Sequence, residues 1–342
     1  MRSIYVLCSL LILGGATLSA QGRQQQLDYR QEERDSADYF KGSYLTVSAA
    51  VGSSTLNYKL NSLGEKGTRK GELGYGIDVK YSYFFHPHWG VTSGVGVSYY
   101  GTTGKLKGSM KEETFYDLGK LTDNDWQPSA PKDFHMRTRI TNLEEKQTTY
   151  FVEIPLMLSY HTYFREQSSC WGIYGGLGAK LQLPVSSQFK IKNGAKSEFN
   201  VSGLYDGIPT DMGSPANPPV PQHGYGTITD PNSTLHWDDK AKLKMGVAAT
   251  AELGVLFSLD RSTDLLIGGY IDYGLTDMKK NDKQGLFTAP SVYHPAADNQ
   301  IGTGIRYNGM LNSNVTGKIR PISFGAKIAL KFKMGGKQKR EE

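Results

Sequence analysis

Lys242-Leu243-Lys244-Met245-Gly246-Val247-Ala248-Ala249-Thr250-Ala251-Glu252-Leu253-Gly254-Val255-Leu256-Phe257 is the stretch on which the fold turns. Leu243, Met245, Val247, Ala249, Ala251, Leu253, Val255 and Phe257 share one parity, while Lys244, Gly246, Ala248, Thr250, Glu252 and Gly254 hold the other. A period of two places these sets on opposite faces of a β-strand, whereas a helix scatters the apolar set around its surface. Pro321 to Phe332 repeats the pattern, with Ile322, Phe324, Ala326, Ile328, Leu330 and Phe332 against Ser323, Gly325, Lys327, Ala329 and Lys331.

Working outward, six further segments read as strands: Tyr44 to Ser54, Glu72 to Phe84, Trp89 to Gly101, Thr148 to His161, Trp171 to Pro184 and Asp264 to Leu275. Each reaches the roughly 9 to 11 residues that a tilted transmembrane strand needs. Their connections alternate in length. Phe85 to His88, Thr162 to Cys170 and Ser258 to Thr263 are short; Thr55 to Gly71, Thr102 to Gln147, Val185 to Ala241 and Thr276 to Arg320 are long. Short turns on one side and long loops on the other are the asymmetry of an outer-membrane barrel, and a soluble β-sandwich has no need of it. The expected fold is all-β: an eight-stranded antiparallel transmembrane β-barrel over residues 43–334 with long extracellular loops. Ten strands is the runner-up, because the loops at Thr102 to Gln147 and Val185 to Ala241 leave room for an extra hairpin and Phe189 to Gly203 shows some alternation.

Composition agrees. The 342 residues include 40 Gly, 21 Tyr, 13 Phe and 4 Trp, yet only 38% are hydrophobic and the mean hydropathy is -0.45. That is poor for a large packed core, and no segment after the first twenty residues approaches a membrane-spanning helix. A barrel resolves the tension, since only alternate residues meet lipid and polar loops dilute the average. At the N-terminus, Arg2, the apolar Ile4 to Leu13 and the small residues Ala16 to Ala20 read as a signal peptide over residues 1–20. Residues 21–42 read as a polar periplasmic segment and 335–342 as a short periplasmic tail. Cys170 alone would remain after cleavage, and there is no cluster of Cys and His, so neither disulfide, metal nor cofactor is expected. The net charge of +6 is scattered through loops and strands, which argues against nucleic acid as a partner. Outer-membrane lipid or lipopolysaccharide and envelope or secretion proteins are the expected partners.

Two sets of residues stand out. Tyr81, Tyr83, Phe84, Trp89, Tyr160 and Trp171 lie near the short turns, where amphipathic rings suit the membrane interface. Asp78, Lys80, Glu153, Lys180, Lys244, Glu252, Asp272, Lys327 and Lys331 take the opposite parity and form an expected lumen network. An eight-stranded interior is just wide enough for side chains to fill, and opposite charges there can pair.

Phe151-Val152-Glu153-Ile154-Pro155-Leu156-Met157-Leu158-Ser159-Tyr160 resembles an aromatic-x-Glu-Ile-Pro-Leu-x-x-x-Tyr strand of outer-membrane β-barrel proteins of the Bacteroidetes, a broad family that includes the PorT-like group and small barrels of the OmpA and OmpX kind. The turn His86-Pro87-His88-Trp89-Gly90 and the glycine-alternating strand through Gly94, Gly96 and Tyr99 extend the likeness. The resemblance implies the cell outer membrane, with both termini periplasmic and the long loops outside. It implies a non-enzymatic role, supporting an envelope or type IX secretion-associated assembly or displaying loops for interaction. Two other readings stay open. One is a lipid-modifying enzyme, because Ser159, His161 and Glu153 share a strand face; the other is a small pore or solute-binding barrel. No residue is assigned a catalytic role.

Overall fold

The computed structural model describes residues 40–60, 67–107, 109–116, 134–166, 169–192, 198–205, 208–209, 238–260, 262–280, 284–288 and 306–334. The signal peptide, nearly all of the polar segment after it and the C-terminal tail lie outside the described residues. In chain order the strands are β1 (Gly42–Asn57), β2 (Gly67–Phe84), β3 (Trp89–Leu106), β4 (Ser109–Tyr116), β5 (Phe134–Thr141), β6 (Glu144–Glu166), β7 (Ser169–Ile191) and β8 (Glu198–Tyr205). They continue as β9 (Ile208–Pro209), β10 (Asp238–Lys240), β11 (Gly246–Ser258), β12 (Thr263–Gly274), β13 (Phe287–Thr288), β14 (Arg306–Tyr307) and β15 (Arg320–Met334).

Eight of these form a ring in the order β1-β2-β3-β6-β7-β11-β12-β15, which returns to β1, every neighbour antiparallel. They are the eight segments expected from alternation. Perpendicular pairing from Trp89 runs through Tyr160, Gly175, Leu253, Gly269, Ala326, Val51 and Tyr75 and returns to β3 at Tyr99, ten residues further along the strand. Such a stagger over eight strands tilts each by about 40° from the barrel axis.

The extra pairing suspected in the two longest loops exists, but outside the ring. β4, β5, β8 and β9 form a separate sheet in that order. Two residues separate β3 from β4 and β5 from β6, so the neighbours β3 and β6 run on as β4 and β5, and β8 pairs with β5. At the break before β6, Asn142 takes the left-handed conformation at φ 52°, which an Asn tolerates better than most residues. The ring therefore stays at eight strands.

The face that carries the apolar residues changes along the wall. In the lower part the exposed positions are apolar: Tyr75, Ile77, Val79, Tyr81 and Tyr83 on β2, Val91, Val95 and Val97 on β3, Leu253 on β11 and Ile328 on β15. Their inward neighbours Asp78, Lys80, Ser82, Thr250 and Lys327 are polar. That is an inside-out core, stable in hydrocarbon and not in water. Tyr75 to Tyr83 spans eight residues, about 26 Å of strand and about 20 Å of height at this tilt. Beyond it Lys105, Lys146, Lys190 and Asn57 point outward, while Leu56, Leu106, Phe151, Phe189 and Ile191 are buried inside. The upper wall thus has the pattern of a water-soluble sheet.

That upper interior is filled by the connection between β12 and β15. Met278, Leu286, Phe287, Tyr307, Met310, Leu311, Val315 and Ile319 from this segment form one core with the inward residues of β1, β3, β6 and β7. Gly309 makes the close approach feasible: its φ is +79°, and a Cβ there would lie 2.6 Å from the Phe189 ring.

Candidate functional site: a charged lumen beneath a folded cap

Seven of the nine charged residues expected in the lumen meet there in two groups. Lys327 Nζ lies 2.7 Å from Asp78 Oδ2 and 2.9 Å from Glu252 Oε1, and Lys80 also donates to Glu252. Ser48 Oγ donates to Asp78 at 2.5 Å. Higher up, Lys180 Nζ bridges Asp272 at 2.8 Å and Glu153 at 3.0 Å, and Gln182 Nε2 donates to Glu153 at 2.9 Å. Cross-ring pairs such as Lys80–Glu252 join strands distant in sequence, so the network holds the ring's shape as well as its charge balance.

Of the other two expected members, one lies in the lumen outside both groups and one does not enter it. Lys331 is buried at the short-turn end, where its Nζ is 2.6 Å from His161 Nδ1 and stands 4.2 Å over the Tyr44 ring and 4.5 Å over the Phe84 ring. His161 Nε2 is 2.9 Å from the Pro87 carbonyl. The consistent assignment is a neutral ring that donates from Nε2 and accepts from Lys331 at Nδ1. Lys244 does not enter the lumen. β11 begins only at Gly246, and Lys244 is exposed before it, its amide bonded to the Met278 carbonyl at 2.7 Å. The alternation runs on into Lys244, but the chain there already follows the cap.

Of the expected interfacial aromatics, Tyr81, Tyr83 and Trp89 are exposed on the outer face, and Tyr160 and Trp171 are half-buried there. Trp89 packs edge-on to Tyr160 at 4.9 Å, and Trp171 lies 4.9 Å from Phe164. Phe84 is a correction. It shares parity with Lys80 and Ser82, faces inward at 2% exposure and stacks on His161 at 3.9 Å. A second outer row, Tyr75, Tyr99 and Tyr150, marks the upper edge of the apolar band, with centroids 4.9 and 5.1 Å apart.

The cap has its own buried polar centre, Glu145, with no exposed surface. It accepts from Tyr307 Oη at 2.5 Å, Gln147 Nε2 at 2.7 Å and the Met310 amide at 2.9 Å. Burial holds its carboxyl above the usual range, against those three donors. Tyr58, which donates to Gln147 at 2.9 Å, is also pushed up by burial. Sequence reasoning missed Glu145 and Gln182, and weighed His161 only for an enzyme. His161 and Gln182 share the inward parity of Glu153 and Lys180, a usable signal. Glu145 has that parity too, through Gln147, Thr149 and Phe151, but it lies before Thr148, where the expected strand begins.

Ser159, His161 and Glu153 share a face but not a hydrogen bond. Ser159 Oγ contacts Thr92 Oγ1 at 2.6 Å, His161 is held by Lys331 and Pro87, and Glu153 by Lys180 and Gln182. The geometry needed to activate a nucleophile is not formed. Among the described residues no three His, Cys, Asp or Glu side chains converge on a metal-sized point. The lumen retains cavities of about 50 and about 30 Å³, space for a water or two.

A family model described as outer membrane protein beta-barrel domain matches residues 24–280. Among solved structures, Neisserial surface protein A is similar at 12% identity, over 86% of this chain and 97% of that one, with a TM-score of 0.26. OprG from Pseudomonas aeruginosa is similar at 14%, over 86% and 98%, with a TM-score of 0.29. Ail of Yersinia pestis is similar at 10%, over 84% and 99%, with a TM-score of 0.23. The chain matches no curated protein.

Proposed function

Since the chain belongs to the outer membrane protein beta-barrel domain family, we propose that it is a non-enzymatic membrane anchor that presents its upper wall and long loops to a partner. The observation that carries this is how the interior is spent. Ion pairs fill the lower lumen, and the β12–β15 connection fills the mouth with a hydrophobic core. What remains for interaction is the outer surface, above all the sheet of β4, β5, β8 and β9 that continues the wall beyond the band.

In this reading residues 1–20 are removed on export, 21–42 and 335–342 lie in the periplasm, and the long connections face outside. The resemblance of Phe151 to Tyr160 to a Bacteroidetes strand supports a narrower assignment to the PorT-like group and an envelope or type IX secretion-associated assembly. The polar segment 21–42 is then a docking arm on the periplasmic side. The test is to isolate the mature protein from crosslinked outer membranes and identify by mass spectrometry what is bound. A stoichiometric envelope or secretion partner, crosslinked through β4–β9 or the arm, is expected; recovery of the protein alone overturns the assembly role.

A further inference from the structure

We infer that the outer face of β2, β3, β6 and β7, above the upper tyrosine row, binds the phosphorylated saccharide headgroup of an outer-leaflet glycolipid. The inference rests on the proposed orientation, with the long loops outside. Strand register brings together lysines that are scattered in sequence. Lys70 pairs with Thr103, Thr103 with Lys146 and Lys146 with Lys190 across four neighbouring strands. On the next rung Lys105 pairs with Glu144, whose carbonyl accepts from the Lys192 amide at 2.8 Å. The impression of scattered positive charge is thus corrected: five lysines share this patch with three carboxylates, Glu72, Glu144 and Asp238, the last paired with Lys190 from β10.

The carboxylates do not cancel the patch. Glu72 meets Lys146 at 3.1 Å, and Glu144 meets Lys105 at 2.8 Å and Lys192 at 3.2 Å. Two formal positive charges remain, and Lys146 stands directly opposite Lys190, whose other neighbour in register is Asp238. Between the rungs is a groove lined by Lys70, Lys105 and Lys192 together with Glu72 and Glu144, and by Leu73. The register shift between Gly71 and Tyr75 opens it. Leu73 is 66% exposed and leads down to Tyr75 and the aliphatic band. From top to bottom the wall therefore offers cations, a groove, tyrosines and hydrocarbon, which is the order of phosphate, sugar and acyl chain.

Height selects the lipid class. Lys146, Lys70 and Lys105 lie four to six residues beyond Tyr150, Tyr75 and Tyr99, about 10 to 15 Å higher at this tilt. A phospholipid headgroup layer is only about 5 to 8 Å deep. A phosphorylated saccharide reaches the lysines, and a simple phospholipid does not.

The full mature protein in detergent micelles is titrated with a lipopolysaccharide of lipid A plus phosphorylated inner core, and with the same glycolipid after phosphatase treatment, binding being read by native mass spectrometry. The triple variant K70Q/K146Q/K190Q is expected to lose binding on the order of 100-fold, about fivefold per lysine. Dephosphorylated glycolipid is expected to bind wild type as weakly. K242Q/K244Q/K318Q carries the same charge change outside the patch and is expected to bind as wild type, and heat-modifiable gel mobility reports folding of each variant. Equal binding of the dephosphorylated glycolipid, equal losses in both triple variants, or displacement by millimolar inorganic phosphate overturns the proposal. Labelling of a Lys240→Cys variant on intact cells separates the premises. Lack of access from outside overturns the orientation itself, whereas access without phosphate discrimination overturns only the glycolipid site.

Discussion

Glu252→Gln is the sharpest perturbation of the lumen. Glu252 is the anion shared by Lys80 and Lys327, which are 5% and 7% exposed. At 2.9 Å the Lys327–Glu252 attraction alone amounts to about 6 kcal/mol at an effective dielectric near 20. Desolvation of the ions offsets much of that gain, but the offset is not recovered when only the anion is removed. Asp78 still holds Lys327 at 2.7 Å, whereas it lies 4.0 Å from Lys80. Lys80 is therefore the ion left without a close partner, and the expected loss is about 3 to 5 kcal/mol, a large share of the stability of an ordinary domain. Urea unfolding in lipid micelles, followed by tryptophan fluorescence and gel mobility, reads it. Adding Lys80→Met removes the stranded cation and is expected to restore most of the stability. A loss under about 1 kcal/mol in Glu252→Gln with the barrel intact, or no recovery in the double variant, refutes the view that these charges act as a paired structural core.

Other outcomes follow from single contacts. Burial raises the Glu145 carboxyl in the folded cap, so the folded state holds a proton that the unfolded state has released; cap stability should fall as pH rises from the ordinary Glu range toward the raised value. Limited proteolysis of residues 306–319 across pH checks this, and Glu145→Gln should flatten the profile. Gly325→Val should prevent closure of β15 on β1, because a Cβ at Gly325 would overlap the Val51 carbonyl oxygen; loss of the heat-modifiable band is expected, at a cost of about 3 kcal/mol or more. Asp239→Asn breaks the exposed pair with Arg306, and the urea midpoint should barely move, with a change under about 1 kcal/mol.

The lower barrel was legible in the sequence because hydrocarbon outside and charge inside force one parity on every strand. Lys327 and Glu252 could be placed in the lumen from Phe324, Ile328, Leu253 and Val255 alone. The upper wall was not legible for the same reason reversed. Beyond Tyr75, Tyr99 and Tyr150 water replaces lipid, so Lys105 and Lys190 face out while Leu106 and Phe189 face in. Strands read from a lipid-facing pattern therefore stopped short, at Gly101 and Pro184, where the structure carries them to Leu106 and Ile191. Phe84 was misplaced by reading its residue type over its parity. The cap was hidden because its core joins Met310, Val315 and Ile319 to Leu56 and Phe189, residues far apart in the chain with no local period.

Planar-bilayer recording of the full mature protein tests the central claim of a filled barrel most directly. Ion pairs in the lower lumen and the packed mouth predict insertion without sustained conductance steps. Stable, reproducible open steps from the folded wild-type protein would contradict it.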